Sequence, residues 1–117
     1  MNINQSNLCA AIARYFGWES QKGQTMQELN ECMAELLKRP DQRGKDWTGR
    51  LRTEIADCMI MLEQMAIMLD GGTDKVSAEI DFKLKRTTDN IISAIARRDF
   101  LTNDDREYLE NIAGGAE

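Results

Sequence analysis

The stretch that decides the fold runs from Arg50 to Leu69 and reads R-L-R-T-E-I-A-D-C-M-I-M-L-E-Q-M-A-I-M-L. Drawn as a helix, the part from Ile55 to Leu69 is apolar on almost every face. Such a helix is typical of the interior of a helical bundle. Its first turns nevertheless carry Glu54 and Asp57, which are three residues apart and therefore share a face. Because ionised carboxylates are costly to bury unless they are paired or bind a metal, this stretch predicts a metal site inside a bundle.

Charge and composition exclude several classes of function. The net charge of −5 argues against a nucleic-acid or acidic-membrane partner. The chain has no histidine, which excludes histidine-based acid–base catalysis and histidine-ligated zinc. Cys9, Cys32 and Cys58 each lie in a helical apolar pattern and are interpreted as buried thiols of a reducing cytoplasm. No apolar run predicts a membrane span, and the N-terminus has no signal-peptide pattern, so we expect a cytoplasmic protein.

Helix start and stop signals predict an all-α fold. Ser6 is the expected N-cap of a helix ending at Gly17, and the polar segment 18–24 is expected to be a linker. Thr25 is the expected cap of a second helix that Pro40 stops. The stretch 50–69 is the third helix, a fourth starts near 73–77 and ends near 97, and a short fifth follows Thr102. We therefore expect one domain, residues 1–117, forming an antiparallel four-helix-bundle-like unit with a short extra C-terminal helix.

A second acidic set precedes the central helix. Glu28, Glu31 and Glu35 share one helical face, because they are spaced by three, four and seven residues. Consecutive helices with a short connection pack antiparallel, so the pair at 28 and 31 can face the pair at 54 and 57. Four oxygen ligands without histidine or thiolate select magnesium or manganese.

A purely structural interpretation remains open for the same carboxylates. Glu54 and Asp57 can pair with Arg50, Arg52 or Lys38 as structural salt bridges. The acids of the second helix can equally form a solvated acidic face, since E-x-x-E is common on surface helices.

The two acidic motifs resemble those of a known family. E-L-N-E (28–31) followed by E-I-A-D (54–57) is similar to the pattern of the MazG-like all-α nucleoside triphosphate pyrophosphohydrolases, particularly their short phage and prophage members. Y-F-G-W-E-S-Q (15–21) resembles the segment before their first motif, and F-K-L-K-R (82–86) resembles a basic stretch in a following helix. A slipped alignment of the first motif would instead place Glu35 in the acidic pair.

The resemblance implies a reaction and a ligand set. It implies hydrolysis of a (deoxy)nucleoside triphosphate to the monophosphate and pyrophosphate, with Mg²⁺, or Mn²⁺ as the alternative, held by Glu28, Glu31, Glu54 and Asp57. With no histidine available, a carboxylate is the expected acceptor of the attacking water's proton, and Glu31 is the first candidate. Similar family members are dimers or tetramers, so a homodimer or homotetramer is expected.

Candidate substrate-binding residues are cations that could clamp phosphate and side chains that could contact a base. The phosphate candidates are Lys83, Lys85, Arg86 and, from the loop, Lys45; the base candidates are Trp18, Trp47 and Gln21. The alternative to substrate binding is that residues 83–86 form a solvated basic helix face and that the tryptophans are partly buried in the core.

Two non-enzymatic functions stay open. One is a family member that has kept the fold and lost activity. The other is a helical interaction module whose methionine-rich helix forms an adaptable binding surface. The four acids discriminate between these hypotheses and the enzyme, because a binding module does not need them on facing helix turns.

Overall fold

The structure, a computed structural model, describes residues 1–98 and 103–115 of the chain. Within these residues there is no strand, so the predicted all-α fold class is confirmed. The helices are α1 (Ile3–Phe16), α2 (Trp18–Leu36), α3 (Trp47–Met68), α4 (Gly72–Arg98) and α5 (Asn103–Gly115), with a 3₁₀ turn at Pro40–Gln42.

The first helix begins earlier than the sequence predicts. Asn2, and not Ser6, is the N-cap: its side-chain oxygen accepts the Gln5 backbone N–H at 2.9 Å, while the Gln5 side chain accepts the Asn2 N–H at 2.9 Å. The Ser6 hydroxyl instead donates to Glu63 on α3 at 3.0 Å. The predicted end at Gly17 is confirmed, with a φ of 85° that favours glycine.

The polar segment 18–24 is helix rather than linker, so that prediction was wrong. Gly17 alone separates α1 from α2, and Thr25 lies inside α2 instead of capping it. Thr25 is buried and donates its hydroxyl to the Gln21 carbonyl at 2.6 Å. Gln21 and Thr25 are the buried residues of α2, so the inward face of this helix begins with polar side chains. The hydrophobic pattern therefore gave no sign of the helix there.

Residues 1–73 form one compact unit in which α3 packs against both α1 and α2. Contacts join Gln21 to Gln64, Glu28 to Cys58 and Glu35 to Arg50, so numbers rise along α2 as they fall along α3. The two helices are therefore antiparallel, as the short connection predicted. This packing brings the predicted acidic motifs together.

The central helix is only partly covered. It buries Cys58, Met61, Gln64 and Ala66, whereas other faces leave large apolar side chains exposed in the single chain: Ile55, Met59, Ile60 and Leu62. It begins at Trp47, three residues before the predicted start, and Gly71 and Gly72 follow it with φ of 82° and 58°. The helix ends at Met68, and the glycines form the positive-φ turn that leads from it into α4.

Residues 74–117 form a second compact unit, which contains most of α4 and all of α5. The predicted fourth and fifth helices are both present. The proposed cap Thr102 lies outside the described residues. Since α4 belongs to this second unit, the four-helix arrangement stays a prediction. No helix in the part of the chain that the structure describes combines the length and the apolar surface that a bilayer crossing requires.

Candidate metal centre

Three of the four predicted ligands converge between α2 and α3. Glu28, Glu54 and Asp57 each offer a carboxylate oxygen, and these oxygens all lie within 4.8 Å of one another. Helical spacing places Glu54 and Asp57 on one face of α3, and the antiparallel packing sets Glu28 opposite them. We call these three residues the acid centre.

Glu31 lies at the edge of the acid centre. Its side chain is exposed, and one of its oxygens accepts a hydrogen bond from the Gln27 amide at 3.3 Å. Its negative charge still acts on Glu28 and Glu54, because it contributes to the raised pKa of both. The structure therefore places Glu31 beside the predicted ligands without bringing its oxygens into the tight group.

Two carboxylate oxygens of the acid centre are buried without a partner. Glu28 Oε2 and Glu54 Oε2 are shielded from solvent, and neither has a hydrogen-bond partner in the described residues. The other oxygen of Glu28 accepts a hydrogen bond from the Gln24 amide at 2.9 Å. A buried oxygen without a donor destabilises the folded chain, whereas a hard divalent cation is a suitable partner for it. The donor set fits Mg²⁺ or Mn²⁺.

Burial and like charge both oppose ionisation at this site. Burial raises the pKa of Glu28, and the neighbouring charges of Glu31 and Asp57 add to the increase, while the Gln24 hydrogen bond lowers it. Burial also raises the pKa of Glu54, with further contributions from Glu31, Asp57, Glu28 and Glu35. A bound cation would remove this conflict by neutralising the clustered charge.

The structural salt bridges that the sequence left open are not formed by these acids. Lys38 Nζ lies 3.0 Å from Glu35 Oε1, and Arg50 Nε lies 3.7 Å from the same oxygen. Among the described residues, Glu54 and Asp57 have no ion pair with any cation, Arg52 included. Glu35 is thus the acid engaged by cations, and it lies outside the group of converging oxygens.

The Cys58 thiol lies next to the acid centre. The Cys58 thiol donates to the Glu28 backbone carbonyl at 3.2 Å, and burial and the nearby Cys32 raise the Cys58 pKa. Cys9, Cys32 and Cys58 are all free, with Cys9 and Cys58 buried as predicted and Cys32 half-buried. A neutral Cys58 thiol adds no charge to the carboxylates.

The predicted base-contacting residues lie in different settings. Gln21 is buried, and its amide donates to Gln64 Oε1 at 2.7 Å, so in this conformation it faces the core and offers no amide to a base. Trp18 is 39% exposed at the start of α2. The Trp47 indole N–H donates to the Glu35 carbonyl at 3.1 Å, and the Arg43 guanidinium lies 4.1 Å from the Trp47 ring centroid.

The predicted phosphate-binding residues lie on the connecting loop and on α4. Lys45 is exposed in the loop between α2 and α3. Lys83, Lys85 and Arg86 lie on α4 in the second unit, where Lys85 pairs with Asp89 at 3.0 Å and Arg86 lies 5.8 Å from the Phe82 ring centroid.

Sequence reasoning missed the amides that hold the acids in place. Gln24 and Gln27 stand four residues before Glu28 and Glu31, and each donates to its glutamate. The signal was present as an i,i+4 spacing of glutamine and glutamate; the predicted linker hid the first pair, because residue 24 was not expected to be helical.

Comparison of the chain with protein-family models, with curated proteins and with solved structures gave no match in any of the three. The function is therefore inferred from the acid centre and its surroundings.

Proposed function

We propose that this protein hydrolyses a nucleoside or deoxynucleoside triphosphate to the monophosphate and pyrophosphate, with Mg²⁺ as its cofactor. The observation that carries the proposal is the convergence of Glu28, Glu54 and Asp57 across two packed helices, with ligand oxygens within 4.8 Å of one another. The resemblance of the two acidic motifs to the MazG-like pattern supplies the reaction, and the antiparallel packing of α2 on α3 is the arrangement that such a pattern requires.

The ligand chemistry supports magnesium, with manganese as a substitute. All the converging donors are carboxylate oxygens, and hard divalent cations prefer such donors. The Cys58 thiol is protonated at neutral pH, since burial raises its pKa. Zinc, which favours nitrogen and sulfur ligands, is expected to be a poor replacement.

The residues of the site divide the work of the reaction. Glu28, Glu54 and Asp57 would hold the cation, with Glu31 at the edge as a further ligand. A divalent ion bound there would neutralise charge on the triphosphate and would lower the pKa of the water molecule that attacks phosphorus. Glu31 is exposed and beside the acid centre, so its carboxylate can accept the proton of that water.

Substrate contacts beyond the acid centre remain proposals. The proposed phosphate ligands are Lys83, Lys85 and Arg86, because the segment 82–86 resembles a basic stretch of the family. A further proposed ligand is Lys45, which is an exposed cation of the α2–α3 loop. Trp18 is exposed enough to stack on a base.

We propose that the protein assembles as a homodimer or homotetramer, in which helices of another subunit complete the bundle. An apolar groove of about 420 Å³ lies between α1 and α3. It is lined by Met1, Gln5, Leu8, Cys9, Ile12, Ala56, Met59 and Ile60. Contiguous apolar surface of this kind is usually covered by another subunit, which supports self-association in a cytoplasmic enzyme.

The same groove favours a second candidate function. A helical interaction module, or an inactive family member, would use the exposed methionines and aliphatic side chains of α1 and α3 to bind another protein. Such a module gains nothing from buried carboxylate oxygens without donors, so the acid centre favours the enzyme.

Product analysis tests the proposed function. Purified protein with Mg²⁺ and a mixture of nucleoside triphosphates is expected to release pyrophosphate, and EDTA or Glu54→Gln should abolish the release. Glu19→Gln, at an exposed position of α2, is the matched control and should keep full activity. Orthophosphate as the sole product, or no turnover of any common nucleotide, would contradict the proposal.

A further inference from the structure

A pair of cations stands at the loop end of the α2–α3 interface. Lys38 and Arg50, here named the cation pair, both approach Glu35 Oε1, at 3.0 and 3.7 Å. The Glu35 side chain is only 14% exposed, whereas the two cations are 35% and 42% exposed. The more buried Glu35 carboxylate thus contacts both cations, while their more exposed side chains remain accessible to a ligand.

The cation pair carries more positive charge than Glu35 neutralises, and the second Glu35 oxygen, Oε2, is buried without a hydrogen-bond partner in the described residues. Two cations share one carboxylate, which leaves a net positive charge. The distance from Arg50 Nε to Glu35 exceeds hydrogen-bonding range, and no residue in the described parts of the chain accepts a hydrogen bond from the Arg50 guanidinium. Its Nη2 lies beside Gly44, where an added Cβ would be 3.4 Å away, so the guanidinium adjoins the α2–α3 loop.

The cation pair adjoins the acid centre. Arg50 precedes Glu54 by four residues on α3, and Glu35 follows Glu31 by four residues on α2, so each lies one turn along the same helix face. The Glu35 charge is close enough to contribute to the raised pKa of Glu54. A ligand bound at the acid centre therefore has the cation pair within one helical turn on its loop side.

We propose that the cation pair is a polyphosphate subsite, which binds the part of a phosphate chain that extends from the acid centre toward the α2–α3 loop. The assignment rests on the proposed function and adds two phosphate ligands to it. Arginine presents a planar fork of donors that matches phosphate oxygens, and lysine adds a point charge. A purely structural role explains less, because partly exposed salt bridges contribute little to stability.

Calorimetric titration with inorganic tripolyphosphate, in the presence of Mg²⁺, tests the subsite. Arg50→Gln and Lys38→Gln are each expected to weaken tripolyphosphate binding by about 10-fold or more, as the loss of a charge-assisted hydrogen bond predicts. Lys22→Gln is the matched control, because Lys22 forms the same i,i+3 pair with Glu19 on α2 and should bind like the parent. Arg50→Lys keeps the charge but loses the planar fork of donors, so it should bind tripolyphosphate more weakly than the parent and more tightly than Arg50→Gln, which separates charge loss from a folding defect.

A separate titration with Mg²⁺ alone distinguishes failure of the polyphosphate subsite from failure of the proposed function. Removing a cation near the acid centre should leave Mg²⁺ affinity unchanged or slightly higher, since like charges repel. Normal Mg²⁺ binding, with equal tripolyphosphate affinity in the parent and all variants, would overturn the subsite alone. If Arg50→Lys bound tripolyphosphate as weakly as Arg50→Gln, the argument that the positive charge at position 50 attracts phosphate would be overturned. Absence of Mg²⁺ binding by the parent would overturn the proposed function, and the subsite with it.

Discussion

Replacement of Asp57 by asparagine separates a metal ligand from a structural acid. Asp57 offers an oxygen within 4.8 Å of those of Glu28 and Glu54, and its charge helps to raise the pKa of both glutamates. Asparagine keeps the shape and removes the charge. In EDTA, Asp57→Asn should therefore be as stable as the parent or more stable, because it relieves repulsion that no cation offsets among the described residues.

The expected size of the effect follows from linkage. At a Mg²⁺ concentration of about 100 times the Kd, binding stabilises the parent by about 2.7 kcal/mol. For a chain of 117 residues this corresponds to a rise in Tm of roughly 10 °C, at about 4 °C per kcal/mol. If Asp57→Asn weakens binding at least tenfold, the same Mg²⁺ adds about 1.4 kcal/mol or less, so the rise falls to roughly 6 °C or below.

Thermal unfolding followed by circular dichroism, with and without Mg²⁺, measures both quantities. Asp81→Asn, at an exposed aspartate of α4, is the matched control and should shift neither Tm. The opposite reading, in which Asp57 belongs to a buried salt bridge, requires Asp57→Asn to lose about 3–5 kcal/mol in EDTA, a fall of roughly 12–20 °C. Such a fall in Tm in EDTA, or a Mg²⁺-induced rise in Tm as large as in the parent, would refute the interpretation of the acid centre as a metal site.

Three further predictions follow from the same structure. Because burial holds the pKa of Glu28 and Glu54 above their unfolded values, the stability from their protonation is fully present below the unfolded pKa and is lost as pH rises through the folded pKa. In EDTA the parent's Tm should therefore rise on acidification from about pH 7 to about pH 4 relative to Glu28→Gln/Glu54→Gln, and a parallel pH profile for the two proteins would contradict this. Gln21→Leu alone should lower the free energy of unfolding by about 1–3 kcal/mol, because it leaves the buried side-chain oxygen of Gln64 without a donor. The double variant Gln21→Leu/Gln64→Leu should recover most of this loss in urea unfolding. If the losses from the two single variants simply add in the double variant, the two side chains do not act as a pair. Light scattering should give a dimer or tetramer, and a fully active monomer at micromolar concentration would remove the assembly hypothesis.

The sequence predicted the acid centre because local helical geometry determines it. Glu54 and Asp57 share a face in any α-helix, and a short connection makes neighbouring helices antiparallel, so Glu28 had to face α3 somewhere near them. Neither step depends on where the helices begin. The errors of several residues at the starts of α1 and α2 therefore left the convergence of these acids intact.

The parts that the sequence did not predict depend on polar residues in structural roles. Gln21, Thr25 and Gln64 are buried, and each is hydrogen-bonded within the first unit. A pattern analysis that expects apolar residues inward reads such a segment as a loop, and for this reason it made 18–24 a linker. The engagement of Glu35 by Lys38 and Arg50 was likewise hidden, since sequence spacing alone allowed the same cations to pair with Glu54.

The division of acids between cations and the acid centre has a physical cause in the connection between the helices. Lys38 and Arg50 lie close to the loop, so they reach Glu35 on the last turns of α2. Glu28 and Asp57 lie two turns further into the interface, beyond these side chains. With the loop-side cations engaged by Glu35, the deeper carboxylates have no competing cation within the described residues, and the unpaired oxygens of Glu28 and Glu54 remain available to a divalent ion. Glu35 therefore keeps the cations near a negatively charged site without letting them neutralise it, and a phosphate chain can bind both at once.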